Sequence, residues 1–148
     1  MLSAWCFGQK PEFTVEYDKF QLSTRIRGEF EVDVTNTKTQ WTMRMVAIAR
    51  VPDNGKPVMM LYFSMSPKWL FNYSKLRFLV NDRLLEYQSK DIDYSAIFVI
   101  PYYDFDRIAN GKTVEIQLST FEGKLSEDTL AAFRKLVELA KPKPPPDR

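Results

Sequence analysis

The sequence predicts a mainly β domain, in which seven or eight antiparallel strands form a sandwich or an open barrel and a C-terminal α-helix follows. Apolar and polar residues alternate in several short runs, which is typical of strands with one buried face. Aromatic residues make up 14% of the chain, and aromatic side chains favour strands. Near the C-terminus the apolar spacing changes to that of a helix.

The first half of the chain predicts four strands, at residues 13–17, 30–34, 40–51 and 58–65. We expect the first strand to be half-buried, with Phe13, Val15 and Tyr17 on its apolar face. Gly28 is expected to break the chain before the second strand, and residues 52–55 are a strong turn signal before the fourth.

The hairpin between the second and third strands has a predicted register. If residues 36–39 form its turn, Val34 faces Trp41 and Glu31 faces Arg44. Each apolar residue then meets an apolar residue, and an acid meets a base.

The third and fourth strands carry apolar residues on both faces. A turn at Asn54-Gly55 places Ala47 opposite Tyr62. One apolar face then holds Val46, Ile48, Leu61 and Phe63. We expect the C-terminal helix to cover this face or, failing that, a partner chain.

The second half predicts strands near residues 76–80, 84–88, 95–102 and 114–118. Residues 121–124 predict another turn. The helix is expected over residues 126–140, with Ser126 as its N-cap. Its apolar stripe consists of Leu130, Phe133, Leu136, Val137 and Ala140.

The length of 148 residues favours a single domain. We expect an N-terminal arm over residues 1–11, a β-rich domain over 12–141 and a proline-rich tail over 142–148. In its order of elements the domain also resembles a PH-like barrel, which is an alternative at the level of architecture.

Composition excludes several chemistries. The chain has no histidine, so Ser–His and Cys–His nucleophile pairs and histidine metal sites are excluded. The one cysteine, Cys6, forms no disulfide within the chain and does not fix the compartment, and a removed signal segment is compatible with the sequence. The net charge of +2 gives no strong nucleic-acid signal, and no apolar run suits a membrane helix. We expect no cofactor and no metal.

Two groups of carboxylates are candidate sites. Asp104 and Asp106 predict the N-cap and first turn of a short helix that ends with a left-handed exit at residues 110–111. Glu29, Glu31 and Asp33 alternate along a strand at steps of roughly 6.6 Å and could flank a glycosidic bond. The predicted hairpin register explains them without catalysis, as a charged outer face that the neighbouring strand neutralises.

A third candidate mixes aromatic and basic residues. It consists of Trp69, Phe71, Tyr73, Lys75 and Arg77. This mixture can stack on bases or sugars, although an ordinary connection that tucks aromatics under a sheet has the same composition.

The sequence therefore predicts a non-enzymatic binding or protein-interaction module without catalytic residues, which binds a protein partner or a second copy of itself. One alternative is a carrier with a small apolar ligand in the barrel. The other is a carbohydrate-active enzyme that uses Glu29, Glu31 and Asp33. An exposed apolar patch would favour the interaction module. An internal cavity would favour the carrier, and a cleft over Glu31 would favour the enzyme.

Overall fold

The computed structural model describes residues 13–64, 75–89 and 96–142. These residues form nine strands and two helices. In chain order the elements are β1 (Thr14–Asp18), β2 (Ser23–Asn36), β3 (Thr39–Pro52), β4 (Val58–Ser64), β5 (Lys75–Val80), β6 (Arg83–Gln88), β7 (Ala96–Ile100), α1 (Tyr102–Ala109), β8 (Val114–Leu118), β9 (Phe121–Lys124) and α2 (Glu127–Leu139). The mainly β fold with a C-terminal helix is confirmed.

The strands form one antiparallel sheet in the order β6-β5-β8-β9-β2-β3-β4-β7, and β1 pairs with β2 outside this path. The first and last strands of the path, β6 and β7, contact each other, so the sheet curls into a nearly closed barrel. The open barrel, rather than the sandwich, is therefore the form that the strands adopt.

The predicted register of the β2–β3 hairpin is confirmed. Val34 pairs with Trp41 and Glu31 pairs with Arg44. Thr37 and Lys38 form the two-residue turn with positive φ angles of 48° and 69°. Because such a turn matches the twist of the strands, it fixes the pairing along both of them.

The predicted register of the β3–β4 hairpin is wrong by one residue. Ala47 pairs with Leu61, because residues 51–52 still pair with β2 and Asp53 N donates to the Leu22 carbonyl at 2.8 Å. The connection between the paired residues Arg50 and Val58 is therefore centred on Asn54, half a residue before the predicted centre between Asn54 and Gly55.

A slip of one residue exchanges the faces of a strand. Leu61 and Phe63 lie inside the barrel, fully buried, whereas Val46 and Ile48 belong to the outer face. The predicted common docking face of these four residues therefore does not exist.

Two segments where the sequence predicted a break or a turn lie within strands. Gly28 lies within β2 and pairs with Ala47, so the chain is not interrupted there. Residues 121–124 form β9 and pair with both β8 and β2. Gly123 allows this close approach, because a Cβ atom there would collide with the Asp33 carbonyl oxygen. Long-range pairing overrides the local turn signal at these positions.

Helix α1 begins earlier than predicted. Pro101 is its N-cap residue, and Asp104 lies in the first turn instead of capping it. The helix is also longer than the single turn expected. It ends at Asn110 with a φ of −98°, so the left-handed exit is wrong. Gly111 is required for space instead, because a Cβ atom would lie 2.7 Å from Cγ2 of Val114.

Helix α2 follows the prediction more closely. Ser126 is its N-cap and accepts a hydrogen bond from Thr129 N. The Phe133 ring lies 4.8 Å from that of Phe105 in α1 and 5.3 Å from that of Phe30 in β2. The apolar stripe thus packs against the inner face of the barrel. The prediction that the C-terminal helix covers an outer face of β3 and β4 is therefore wrong.

The interior of the barrel is filled by side chains from strands and helices alike. The largest fully buried ones include Phe63, Phe78, Phe98, Phe105 and Phe133. This packing gives the carrier hypothesis no support within the described residues. The N-terminal arm with Cys6 and nearly all of the proline-rich tail lie outside those residues.

Candidate functional site

The three carboxylates of the enzyme hypothesis are exposed on the outer face of β2. Oε1 of Glu29 lies 2.6 Å from Nη2 of Arg44 and 2.9 Å from Nη2 of Arg27. The hydrogen bond from Arg44 is the main cause that holds the pKa of Glu29 below its ordinary value. Because a glycosidase general acid needs a raised pKa, Glu29 is unsuited to that role.

Glu31 faces Arg44 across the hairpin as predicted, but the ion pair of Arg44 goes diagonally to Glu29. Oδ1 of Asp33 accepts a long hydrogen bond of 3.4 Å from the Thr42 hydroxyl. These contacts suit a charged outer face whose neighbouring strand neutralises it, which is the second interpretation that the sequence allowed.

The aspartates of α1 bind groups of the fold itself. The Tyr87 hydroxyl donates to Oδ2 of Asp104 at 2.8 Å, and the Asn110 amide donates to Oδ1 of Asp106 at 2.9 Å. Burial, and then the bond to Asp104, raise the pKa of Tyr87. The hydrogen bond between Tyr87 and Asp104 therefore joins α1 to β6.

The predicted aromatic and basic surface is only partly described. Its three aromatic residues, Trp69, Phe71 and Tyr73, lie outside the described residues. Lys75 and Arg77 both bind Glu86, with N–O distances of 3.7 Å and 2.7 Å. These two basic groups are thus already paired with a neighbouring strand.

Arg77 also belongs to a ladder of hydrogen-bonded polar side chains that runs across β6, β5, β8 and β9. Its Nη1 donates to Oε1 of Gln117 at 3.4 Å, and Nε2 of Gln117 donates to Oε1 of Glu122 at 2.9 Å. A groove of about 440 Å³ lies beside the ladder, and Leu79 and Leu84 contribute its apolar lining. The ladder groups that line the groove, Arg77, Gln117 and Glu122, bind one another.

A different surface stands out at the hairpin of β1 and β2. Four large apolar side chains are exposed within eight residues: Val15 by 59%, Tyr17 by 56%, Phe20 by 88% and Leu22 by 56%. We call these four residues the hairpin patch. The other large apolar side chains exposed in the described part of the chain are spread over β4, β6, α1 and α2.

All five residues of β1 are exposed. Phe13 still reaches the core, with its ring 6.3 Å from that of Phe30. Val15 pairs with the buried Ile26 and shares its face of the sheet, yet remains largely uncovered. The expectation of a half-buried first strand is therefore wrong beyond Phe13.

The turn that carries Phe20 has a defined geometry. Oδ1 of Asp18 accepts hydrogen bonds from the backbone N–H groups of Phe20 at 2.9 Å and Gln21 at 3.1 Å. Leu22 adopts a positive φ of 48°. The Tyr17 hydroxyl donates to Oδ2 of Asp53 at 2.7 Å, which ties the hairpin to the end of β3.

A concavity of about 640 Å³ lies at this hairpin, and Tyr17 of the hairpin patch is among its lining residues. Lys19, Phe20, Arg25 and Arg50 line it together with Glu16. Arg25 lies directly opposite Arg50 in the β2–β3 register. Nη2 of Arg25 is 3.8 Å from Oε2 of Glu16, and Nζ of Lys19 lies 5.3 Å from the centre of the Phe20 ring.

Sequence reasoning missed this surface. The available signal was the presence of Phe20 and Leu22, two large apolar residues, in a short connection between strands. Turns usually carry small or polar residues, so bulky apolar side chains there require another explanation.

Within the described ranges, no group of three or more cysteine or acidic side chains is placed to hold a metal ion. None of the described helices is long and apolar enough to cross a membrane. No family model, curated protein or solved structure matches the chain. The PH-like alternative therefore remains an interpretation of the element order, and the site has to be argued from its own geometry.

Proposed function

We propose that this chain is a non-enzymatic interaction module that binds a protein partner through the hairpin patch. The observation that carries the proposal is the concentration of exposed apolar side chains in one hairpin, whose first strand lies outside the strand path of the barrel. Exposed apolar residues are ordinary when they are scattered singly, whereas a contiguous group is typical of an interaction surface.

The energetics of the patch favour binding. Covering a large apolar side chain fully contributes roughly 1.5–3 kcal/mol, and the four side chains of the patch are all more than half exposed. Phe20 and Tyr17 belong to the residue types that most often dominate interface energies, namely the aromatics. A partner that covers them gains stabilisation that the isolated fold lacks.

The edge of β1 supports the same conclusion. Among the described residues β1 pairs only with β2, which leaves its other edge open. An extended segment of a partner can add to such an edge through backbone hydrogen bonds, with its side chains beside Val15 and Tyr17.

Site-specific photo-crosslinking tests the proposal in the cells that make the protein. Benzoylphenylalanine replaces Phe20 in one variant and Leu84 in a matched control, because Leu84 is 56% exposed on β6, away from the hairpin. We expect a discrete crosslinked product from position 20 and none from position 84.

The crosslinked protein is then purified and its affinity for the full chain is measured. Phe20→Ser should weaken binding at least about tenfold, since losing one buried aromatic contact typically costs more than 1.4 kcal/mol. Equal crosslinking at both positions, or unchanged affinity for Phe20→Ser, contradicts the proposal. A product of two copies of this chain identifies self-association.

A further inference from the structure

We propose that the partner is an acidic segment of a protein, whose carboxylates bind Arg25 and Arg50 in the concavity beside Phe20. This inference rests on the proposed function, because it assigns the chemistry of the partner to the same hairpin. The concavity and such an occupant have complementary charges.

Three other arginines of the sheet are closely neutralised. The carboxylate of Glu29 lies 2.6 Å from Arg44 and 2.9 Å from Arg27, and that of Glu86 lies 2.7 Å from Arg77. In each case the acid lies on the same or the neighbouring strand and satisfies the guanidinium without a partner molecule.

The arginine pair at the hairpin is not neutralised in this way. Arg25 and Arg50 are exposed and directly opposite each other, and like charges in that position destabilise a sheet. Arg25 has only Glu16 at 3.8 Å, and no carboxylate of the described residues lies within 4.0 Å of Arg50. A carboxylate bound between the two guanidinium groups would relieve their repulsion.

The other charges at the hairpin limit the charge of the partner. The carboxylate of Asp18 binds the turn, that of Asp53 binds Tyr17, and Glu16 lines the concavity. Three basic and two acidic side chains line the concavity, which is a small positive excess. Such an excess suits one or two carboxylates next to an apolar group, whereas nucleic acids and anionic membranes require larger basic surfaces.

The inference is tested with a library of random heptapeptides displayed on phage and selected on the full-length chain. Selected peptides should be enriched in aspartate and glutamate beside apolar residues. Their affinity should fall about tenfold when Arg25→Gln and Arg50→Gln are combined, since two exposed charge pairs are lost. It should also fall as salt rises. Arg83→Gln, an exposed arginine on β6, is the matched control and should leave affinity unchanged.

The outcomes separate this inference from the proposed function. Acidic peptides that require both Phe20 and the arginine pair support both statements. Neutral or basic peptides that require Phe20 overturn the inference and leave the proposed function standing. If no selected peptide loses affinity with Phe20→Ser, or if no peptide is selected at all, both are overturned. Binding of phosphatidylserine vesicles that is lost in the double arginine variant, without acidic peptide binding, also overturns the inference.

Discussion

Gly123 lies where β9 approaches β2 most closely. A Cβ atom at this position would collide with the Asp33 carbonyl oxygen, and backbone cannot move aside as a side chain can. We expect Gly123→Ala to lower the free energy of unfolding by about 1–3 kcal/mol, as overpacking does elsewhere. Urea unfolding followed by circular dichroism measures the change.

Gly28→Ala is the matched control for this prediction. Its added Cβ atom would meet the end of the Phe13 ring at 2.6 Å, and that ring lies at the margin of the core. Because the ring can rotate away, Gly28→Ala should cost less than Gly123→Ala. The reverse order of the two variants would contradict the assignment of Gly123 to a backbone contact.

Glu29 gives a prediction on the pH dependence of stability. Its pKa in the folded protein lies below the ordinary value of 4.5, chiefly because Arg44 donates a hydrogen bond to it. A carboxylate whose pKa is lower in the folded than in the unfolded state stabilises the fold at any pH above its unfolded pKa. This contribution is lost as the pH falls through the folded pKa. The difference in unfolding free energy between the native chain and Glu29→Gln should therefore be fully present above pH 4.5 and disappear as the pH falls through the lower pKa that Glu29 has in the folded protein.

Glu31→Gln is the control for that titration. Glu31 shares the outer face of β2 with Glu29, and no ion pair joins it to another described residue within 4.0 Å. An acid-dependent difference of the same size in both variants would contradict the arginine contacts as the cause.

Helix α2 stabilises the fold through its apolar stripe. Phe133 is fully buried between the rings of Phe30 and Phe105, whereas Leu139 in the same helix is 45% exposed. We expect Phe133→Ala to cost about 3–5 kcal/mol. Leu139→Ala should cost far less, and chemical denaturation distinguishes the two. Equal costs would mean that α2 is not held by its inner face.

At the scale of elements, sequence reasoning succeeded where pairing is local. A two-residue turn sets the β2–β3 register. Another, at Asn81–Asp82 with φ angles of 49° and 68°, joins the predicted strands β5 and β6. The β3–β4 register was missed by one residue because the connection between Arg50 and Val58 is long, and no two-residue turn sets the pairing there. Strand β9 was missed although it pairs with its chain neighbour β8, because Glu122-Gly123 has the local pattern of a turn and the second partner, β2, lies far away along the chain.

The helices follow the same rule. Ser126 caps α2 through a contact three residues away, so its role could be predicted from the sequence. Asp104 binds Tyr87 on another element, and nothing in the local pattern specifies that contact. The face on which α2 docks likewise depends on the closure of the barrel, which the alternation of apolar residues does not specify.

At the scale of the whole molecule, the barrel and the hairpin have different roles in the proposed function. The barrel is filled from within, and several of its outer charges form ion pairs along or across the strands. The hairpin of β1 and β2 carries side chains that contribute little to the core. This surface could not be predicted, because an alternating strand looks the same in sequence whether or not another element covers it.

The separation of the two parts predicts that stability and binding can be changed independently. Phe20 is 88% exposed, so Phe20→Ser should alter the free energy of unfolding by no more than about 0.5 kcal/mol while binding is lost. Thermal unfolding of the variant checks the first part. A large destabilisation would show that the hairpin belongs to the structural core.

The most direct test of the binding surface is amide hydrogen exchange on the full-length chain, alone and saturated with a peptide selected on it. The proposed function predicts that exchange slows in residues 14–27, which span β1 and the start of β2. Exchange in β5, β6 and β8, around the groove with Leu84, should stay unchanged. Protection confined to that groove, with residues 14–27 unaffected, would contradict the central claim that the hairpin is the binding surface.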